Sequence, residues 1–193
     1  QAVYKNLDYT IDDITDAKNA LQWVGDWDPA HMATLTDSDA EKSDIKDAIE
    51  DRDSARIQMI YAYSTLQGTV TPVGGWSPMM SQTPSLLILL IDSTDKVLIV
   101  LDCCYSGIFD NEIDDGVVLM GAQSTEETHE RSELQNGTFS YFLVEGMEGF
   151  ADFDNDLISG EEAFWYASPR TEAYEDTAHS AEQEPEDDDN YTG

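Results

Sequence analysis

Residues 97–107 read VLIVLDCCYSG, an unbroken apolar run that is followed at once by a polar turn. Five consecutive apolar residues are typical of a strand that is buried on both faces of a parallel sheet. Asp102, Cys103 and Cys104 come directly after that run, in a turn that ends at Gly107. Functional side chains of open parallel sheets collect in the loops at the carboxyl ends of strands. This turn is therefore the first candidate site.

Helix and strand patterns alternate on both sides of that turn. Apolar spacing predicts a helix from Thr10 to Val24, and further helices over residues 37–49, 84–91, 137–147 and 161–167. Apolar runs predict strands over residues 32–35, 57–63, 97–101 and 117–120. The alternation predicts an α/β sandwich that is built from parallel βαβ units.

The composition bounds the class of protein. The chain has 193 residues, with 41 acidic residues against 9 basic ones and a net charge of −32. One domain with an appendage fits this length. The charge argues against binding to nucleic acid or anionic membranes, which requires clustered Lys and Arg. The longest apolar run, residues 86–91, is far shorter than the roughly 20 residues of a spanning helix, and two adjacent cysteines make no disulfide framework.

The acidic residues are spread unevenly along the chain. No Lys or Arg follows Arg170, and nine acids lie between Glu172 and Asp189. We interpret residues 172–193 as a solvated, flexible tail that follows a domain at residues 1–171. The remaining domain is still strongly acidic, which favours a halophilic protein over an ordinary acidic one. No signal peptide is visible. The expected location is either secreted or cell-surface, or the cytoplasm of a high-salt organism.

A cysteine at the carboxyl end of a strand can project its sulfur into a cleft, with backbone N–H groups facing an oxyanion. The alternative is a small buried hydrophobic residue. The pattern Asp-x-Cys-x-Ser-Gly at residues 102–107 resembles the nucleophile motif of caspase-like cysteine peptidases, above all metacaspases and their prokaryotic relatives. The resemblance spans residues 2–171 and includes the segments 9–17, 27–37, 136–141, 161–164 and 169–171.

The resemblance implies a three-layer caspase-like sandwich with a mostly parallel central sheet. It makes Cys104 the nucleophile and Cys103 a buried neighbour, and it implies that Asp13 and Asp102 line an acidic pocket that selects Lys or Arg before the cut. Cationic protein or peptide substrates are expected of so acidic a chain. For Asp13, an ordinary carboxylate in the first turn of a helix is the alternative. The loop residues implied at the oxyanion are Ser106, Gly107 and Gly68.

The general base of that family is a His, and this chain has Gln67 at the corresponding position, in the turn before Gly68. Gln cannot accept a proton near neutral pH, and a lone Cys is only a few per cent thiolate at about pH 7. His129 is the one remaining histidine that is expected at the same end of the sheet. One hypothesis is an inactive relative that is kept for interaction or self-assembly. The other is that Gln67 is not the native residue of this turn.

Residues 152–162 resemble a calcium loop of the EF-hand type. Such a loop has oxygen ligands at alternate positions, Gly at the sixth and Glu at the twelfth. Here the Glu comes one residue early, and the expected Gly is lacking. The alternative is a capping box, in which Ser159 and Glu162 begin a helix. The expected Ca²⁺ ligands are Asp152, Asp154, Asp156 and Glu162.

Overall fold

A computed structural model of the protein describes residues 8–24, 32–35, 57–63, 85–90, 98–109, 117–153 and 158–189. Helices are α1 (Thr10–Val24), α2 (Thr138–Glu145) and α3 (Gly160–Tyr174). The strands are β1 (Met32–Leu35), β2 (Ile57–Tyr63), β3 (Ser85–Leu90), β4 (Leu98–Asp102), β5 (Val117–Met120), β6 (Glu130–Arg131), β7 (Asn136–Gly137) and β8 (Glu186–Asp189). Among these helices, none is long and apolar enough to cross a bilayer.

The main sheet is mixed rather than mostly parallel. Its strand order is β1-β3-β2-β4-β5-β8. The pairs β2–β4 and β4–β5 are parallel, as the βαβ pattern predicts. The pairs β1–β3, β2–β3 and β5–β8 are antiparallel. The α/β class is thus confirmed at the level of a mixed helix and strand fold, and among the described strands the parallel pairing joins β2, β4 and β5.

The first source of the difference is the segment predicted as a helix over residues 84–91. It forms β3, which lies between β1 and β2 in the sheet. Its sequence, SLLILL, has no polar residue at helical spacing, so nothing in it marks one face of a helix. A short continuous apolar run fits a central strand equally well, and here sheet pairing on both sides decides the outcome.

The second source is the acidic segment that we expected to be a flexible tail. Within residues 172–189, α3 continues to Tyr174, a π-helical turn spans Glu175–His179, and β8 pairs with β5. Glu175 and Gln183 are both buried. The expected tail is therefore part of the folded domain as far as Asp189, because its backbone extends the sheet and two of its side chains lie in the interior.

One apolar core joins the helices to the centre of the sheet. Its buried residues come from α1, β4, β5, α2 and α3, and from Met147 in the π-helical turn Gly146–Phe150 that follows α2. Phe139 of α2 is fully buried and meets Phe164 of α3 edge to face, with ring centroids 6.3 Å apart. Hydrogen bonds from Gly137 to Asp13 and from Ser140 to Asp102 place the amino-terminal ends of α1 and α2 beside the end of the strand that leads to the cysteines. Predicted helix 37–49 lies outside the described residues.

Candidate functional site

The cysteine turn lies at the carboxyl end of β4, as predicted from the sequence. Tyr63, the last residue of β2, is in register with Asp102, and Met120, the last of β5, is in register with Leu101. The ends of three parallel strands therefore meet at this edge. Tyr105 has a φ of 62°, a left-handed conformation that is unusual for a residue with a side chain. The chain turns sharply there, directly after the half-buried Cys104.

The residues implied at the oxyanion have structural roles in this turn. The Ser106 amide donates to the Cys103 carbonyl at 3.2 Å, and the Gly107 amide donates to the Ala122 carbonyl at 2.9 Å. The Ser106 hydroxyl both donates to and accepts from the Ala122 backbone at 3.1 Å. A Cβ at Gly107 would lie 2.4 Å from the Ser124 nitrogen, so only glycine fits there. The oxyanion role of Ser106 and Gly107 is not supported, because both amides already have acceptors.

The Cys104 thiol faces the loop that follows β5. Its sulfur lies 3.8 Å from the Thr128 hydroxyl and 3.9 Å from the Thr128 carbonyl oxygen. Burial raises the pKa of the Cys104 thiol, the hydrogen bonds of Thr128 lower it in part, and the charges of Glu127 and Asp102 raise it further. The neutral thiol therefore dominates at neutral pH, and nucleophilic chemistry here needs a base. Cys103 is buried, as the resemblance implies.

Two residues were considered at the place of the general base, Gln67 and His129, and the structure describes only His129. Gln67, together with Gly68, lies outside the described residues. His129 is half-buried, and its amide donates to the Gln183 side chain at 3.0 Å. Burial lowers the pKa of the His129 imidazole, which the charge of Glu175 opposes. A hydrogen bond ties the ring to the Glu182 backbone, so the ring is held by the carboxyl-terminal segment rather than by Cys104.

The two carboxylates implied for an acidic pocket are both fully buried. Asp102 accepts hydrogen bonds from Ser140, at 3.0 Å from the amide and 2.5 Å from the hydroxyl. Asp13, on α1, accepts the Gly137 amide at 2.8 Å. The second oxygen of each carboxylate has no hydrogen-bond partner among the described residues. Asp13 lies in the first turn of α1, as the alternative interpretation has it, but its side chain is fully buried.

The carboxylates of this acidic pair also affect each other electrostatically. Burial, followed by the charge of Asp102, raises the pKa of Asp13 well above its usual range. Burial raises the pKa of Asp102 to about 7, although the hydrogen bonds of Ser140 oppose the shift. Two buried, unneutralised carboxylates are costly because ionisation in an apolar site is unfavourable. A cation in contact with the free oxygens would remove that cost.

The region of the predicted calcium loop is described in part. Ser159 and Glu162 form the capping box of α3: the Glu162 amide donates to the Ser159 hydroxyl at 3.1 Å, and the Ser159 amide donates to the Glu162 carboxylate at 2.9 Å. Asp154 and Asp156 lie outside the described residues, and Asp152 is exposed. Within the described ranges, no group of three or more His, Cys, Asp or Glu residues could hold a metal ion. The capping box is confirmed, and the calcium site stays a prediction.

Sequence reasoning missed three residues that shape this site: Thr128 beside the thiol, Ser140 on Asp102, and Gln183 behind the loop. The rule that loops gather at the carboxyl ends of parallel strands could have pointed to Thr128, which follows β5. No local pattern marks Gln183, because its contacts lie more than 50 residues away along the chain.

The structure therefore brings together Cys104, Asp102 and Asp13 at one end of the sheet, and it leaves the oxyanion donors and the base undefined within the described residues. Comparisons of the chain with protein-family models, curated proteins and solved structures gave no match.

Proposed function

We propose that the chain is a caspase-like cysteine endopeptidase of the metacaspase type, a three-layer sandwich that cleaves after Lys or Arg. The observation that carries the proposal is the acidic pair, Asp13 and Asp102. Both carboxylates are fully buried, each has an unpartnered oxygen among the described residues, and Asp102 is two residues from Cys104. A cationic side chain from a substrate would supply the missing hydrogen-bond donors and the missing charge.

The chemistry assigned to Cys104 is acyl transfer. Its thiol loses a proton and attacks the scissile carbonyl carbon, so that a C–S bond forms; the C–N bond then breaks, and the amine leaves with that proton as the thioester is made. Water then hydrolyses the thioester and regenerates the thiol. Because burial raises the pKa of the thiol, attack is slow without a general base, and Gln67 cannot serve as one.

The test is hydrolysis of matched fluorogenic peptides that end in Arg, Lys or Asp, in high-salt buffer. Cleavage after Arg and Lys but not Asp is expected, with complete loss in Cys104→Ala. Cys103→Ala is the matched control, since it removes the neighbouring thiol from the core, and its activity should survive. Gln67→His should raise the rate, because a positioned base contributes about 10²–10⁴-fold. Full activity in Cys104→Ala would overturn the proposal.

The second candidate is an inactive caspase-like domain that serves in interaction or assembly. A specific observation favours it: the amides of Tyr105, Ser106, Gly107 and Ile108 all donate to backbone acceptors, and the thiol is held in its protonated form. An absence of hydrolysis in both the wild type and Gln67→His would favour this candidate. Sedimentation analysis over a concentration series would then show whether the chain self-associates.

A calcium-binding structural module is the third candidate. Its acidic loop is Asp152 to Glu162, and the capping contact of Glu162 competes with metal binding. Isothermal titration with Ca²⁺ tests it, and heat that is abolished in Asp152→Asn would support the site.

A further inference from the structure

The segment that connects the π-helical turn to β8, residues 180–185, is here called the C-terminal strap. It begins at Ser180, which has a left-handed backbone with a φ of 54°. Gln183 is its deepest polar residue, with only 1% of its surface exposed. A primary amide is costly to bury unless both of its ends are hydrogen-bonded. The position of this amide is therefore informative about what it holds.

Gln183 bridges the two ends of one loop. Its Oε1 accepts a hydrogen bond from the His129 amide at 3.0 Å, and its Nε2 donates to the Gly121 carbonyl at 2.9 Å. Gly121 directly follows β5, and His129 directly precedes β6. One buried side chain thus closes the base of the loop formed by residues 121–129.

That loop is the wall against which the cysteine turn is packed. The Tyr105 amide donates to the Glu126 carbonyl at 2.7 Å, and the Cys104 sulfur lies 3.8 Å from the Thr128 hydroxyl. The strap also reaches the loop at its surface, where the Glu184 amide donates to the Glu126 carboxylate at 2.7 Å. Contacts run without interruption from the strap through the loop to the thiol.

We infer that Gln183 is a positioning residue, which holds the loop so that the Thr128 hydroxyl stays on the Cys104 sulfur. It does not touch the thiol itself. The inference rests on the role proposed above for Cys104 and adds a contribution of the carboxyl-terminal segment to that site. Without the bridge, the His129 amide loses its partner, and His129, the residue next to Thr128, is then held only through its carbonyl, which accepts the Thr138 amide at 2.8 Å, and through its ring.

The titratable groups around the thiol come from both sides of the contact. Glu127 acts from the loop, and Asp102, Cys103 and Tyr105 act from the strand end and the turn. Thr128 differs from these groups because its hydrogen bonds lower the pKa of the Cys104 thiol. The pH dependence of Cys104 alkylation by iodoacetamide therefore reports whether Thr128 is in place, and it requires no peptidase activity.

The experiment is a double-mutant cycle that is read from the pH midpoint of Cys104 alkylation, with peptide mapping by mass spectrometry. Thr128→Val in the otherwise unchanged chain should raise the midpoint by about one unit, the scale of one hydrogen bond to a charged group. In the Gln183→Met background, Thr128→Val should have almost no further effect. Ser168→Ala is the matched control, since it removes a contact to Pro185 of the same strap at 3.5 Å without touching the loop.

In the control background, Thr128→Val should keep its full effect. If Gln183→Met does not fold, Gln183→Ala takes its place, because it also removes the acceptor for the His129 amide and the donor to Gly121, and the vacated volume lets water reach these two backbone groups. Equal shifts from Thr128→Val with and without Gln183 would overturn the inference, and so would a shift of zero in the unchanged chain. If the Thr128→Val shift depends on Gln183 but the chain hydrolyses no peptide, the proposed peptidase activity is refuted and the positioning role of Gln183 is retained.

Discussion

Replacement of Asp102 by Asn tests the electrostatic account of the acidic pair. The Asp102 carboxylate is fully buried and accepts two hydrogen bonds from Ser140. Asn has the same shape and keeps one carbonyl oxygen for both donors, but it cannot ionise. The Asp102 carboxylate packs closely against Gly121 on one side, since a Cβ at Gly121 would lie 2.6 Å from Oδ1 of Asp102. A near-isosteric change is therefore the appropriate one.

The magnitude follows from the pKa of Asp102, which burial raises from 3.8 to about 7. A carboxyl group with a raised pKa in the folded state keeps its proton longer than in the unfolded state. Its favourable contribution is complete below about pH 4 and is lost as the pH rises through about 7. Roughly three pKa units correspond to about 4 kcal/mol of unfolding free energy. The free energy of unfolding of Asp102→Asn, measured relative to that of the wild type, should therefore increase by up to about 4 kcal/mol as the pH rises from about 4 to about 8.

Urea unfolding, followed by tryptophan fluorescence at fixed high salt, measures this difference across the pH range. Asp12→Asn is the matched control, because Asp12 lies on the same helix as Asp13 but is exposed. The control should differ from the wild type by no more than about 0.5 kcal/mol at any pH. A difference between Asp102→Asn and the wild type that stays constant with pH would refute the reasoning.

Two further predictions concern stability. Glu175→Gln should cost about 3 kcal/mol at neutral pH, because the buried Glu175 carboxylate pairs with Arg131 through Nε at 3.0 Å and through a second guanidinium nitrogen. Burial alone would raise the pKa of Glu175, but the hydrogen bonds and charge of Arg131 outweigh it and lower the pKa. The loss of unfolding free energy in Glu175→Gln should therefore shrink as the pH falls through the acid range. A loss that does not change with pH would contradict this prediction. Ser159→Ala should cost about 1 kcal/mol through loss of the α3 capping box. Thermal unfolding checks the second change, and Ser159→Thr should retain the stability.

Local patterns predicted the parts of the fold that have strong local signals. Helical spacing located α1, and continuous β-forming runs located β1, β2, β4 and β5. The prediction for β3 was wrong because a short apolar run is compatible with helix and strand alike. β8 could not be found from its sequence, since EDDD is depleted in strands and forms one here by pairing with β5.

The residues of the candidate site also divide into those that a local pattern predicts and those that only tertiary contacts place. The turn that carries Cys104 could be predicted because an apolar strand leads directly into it. For Asp13 the signal is partial: helical spacing places it on the same face as the buried Ala17 and Ala20, whereas the contact of its carboxylate with the Gly137 amide could not be predicted, because it joins segments far apart in the sequence. The roles of Thr128 and Gln183 depend on contacts between segments that are far apart in the sequence, and no local pattern in either segment predicts those contacts.

The strand β8 ends the row of described strands, and it carries four consecutive carboxylates. A strand at the margin of a sheet is a template for a further chain, and charge is one of the means that prevents such addition. A second copy that approached this margin in register would set carboxylate against carboxylate. That repulsion reaches only about 3 Å at about 1 M salt. At about 1 M salt, resistance to edge-to-edge association would then depend on the hydration of these carboxylates, whereas in dilute buffer it would depend on their mutual repulsion.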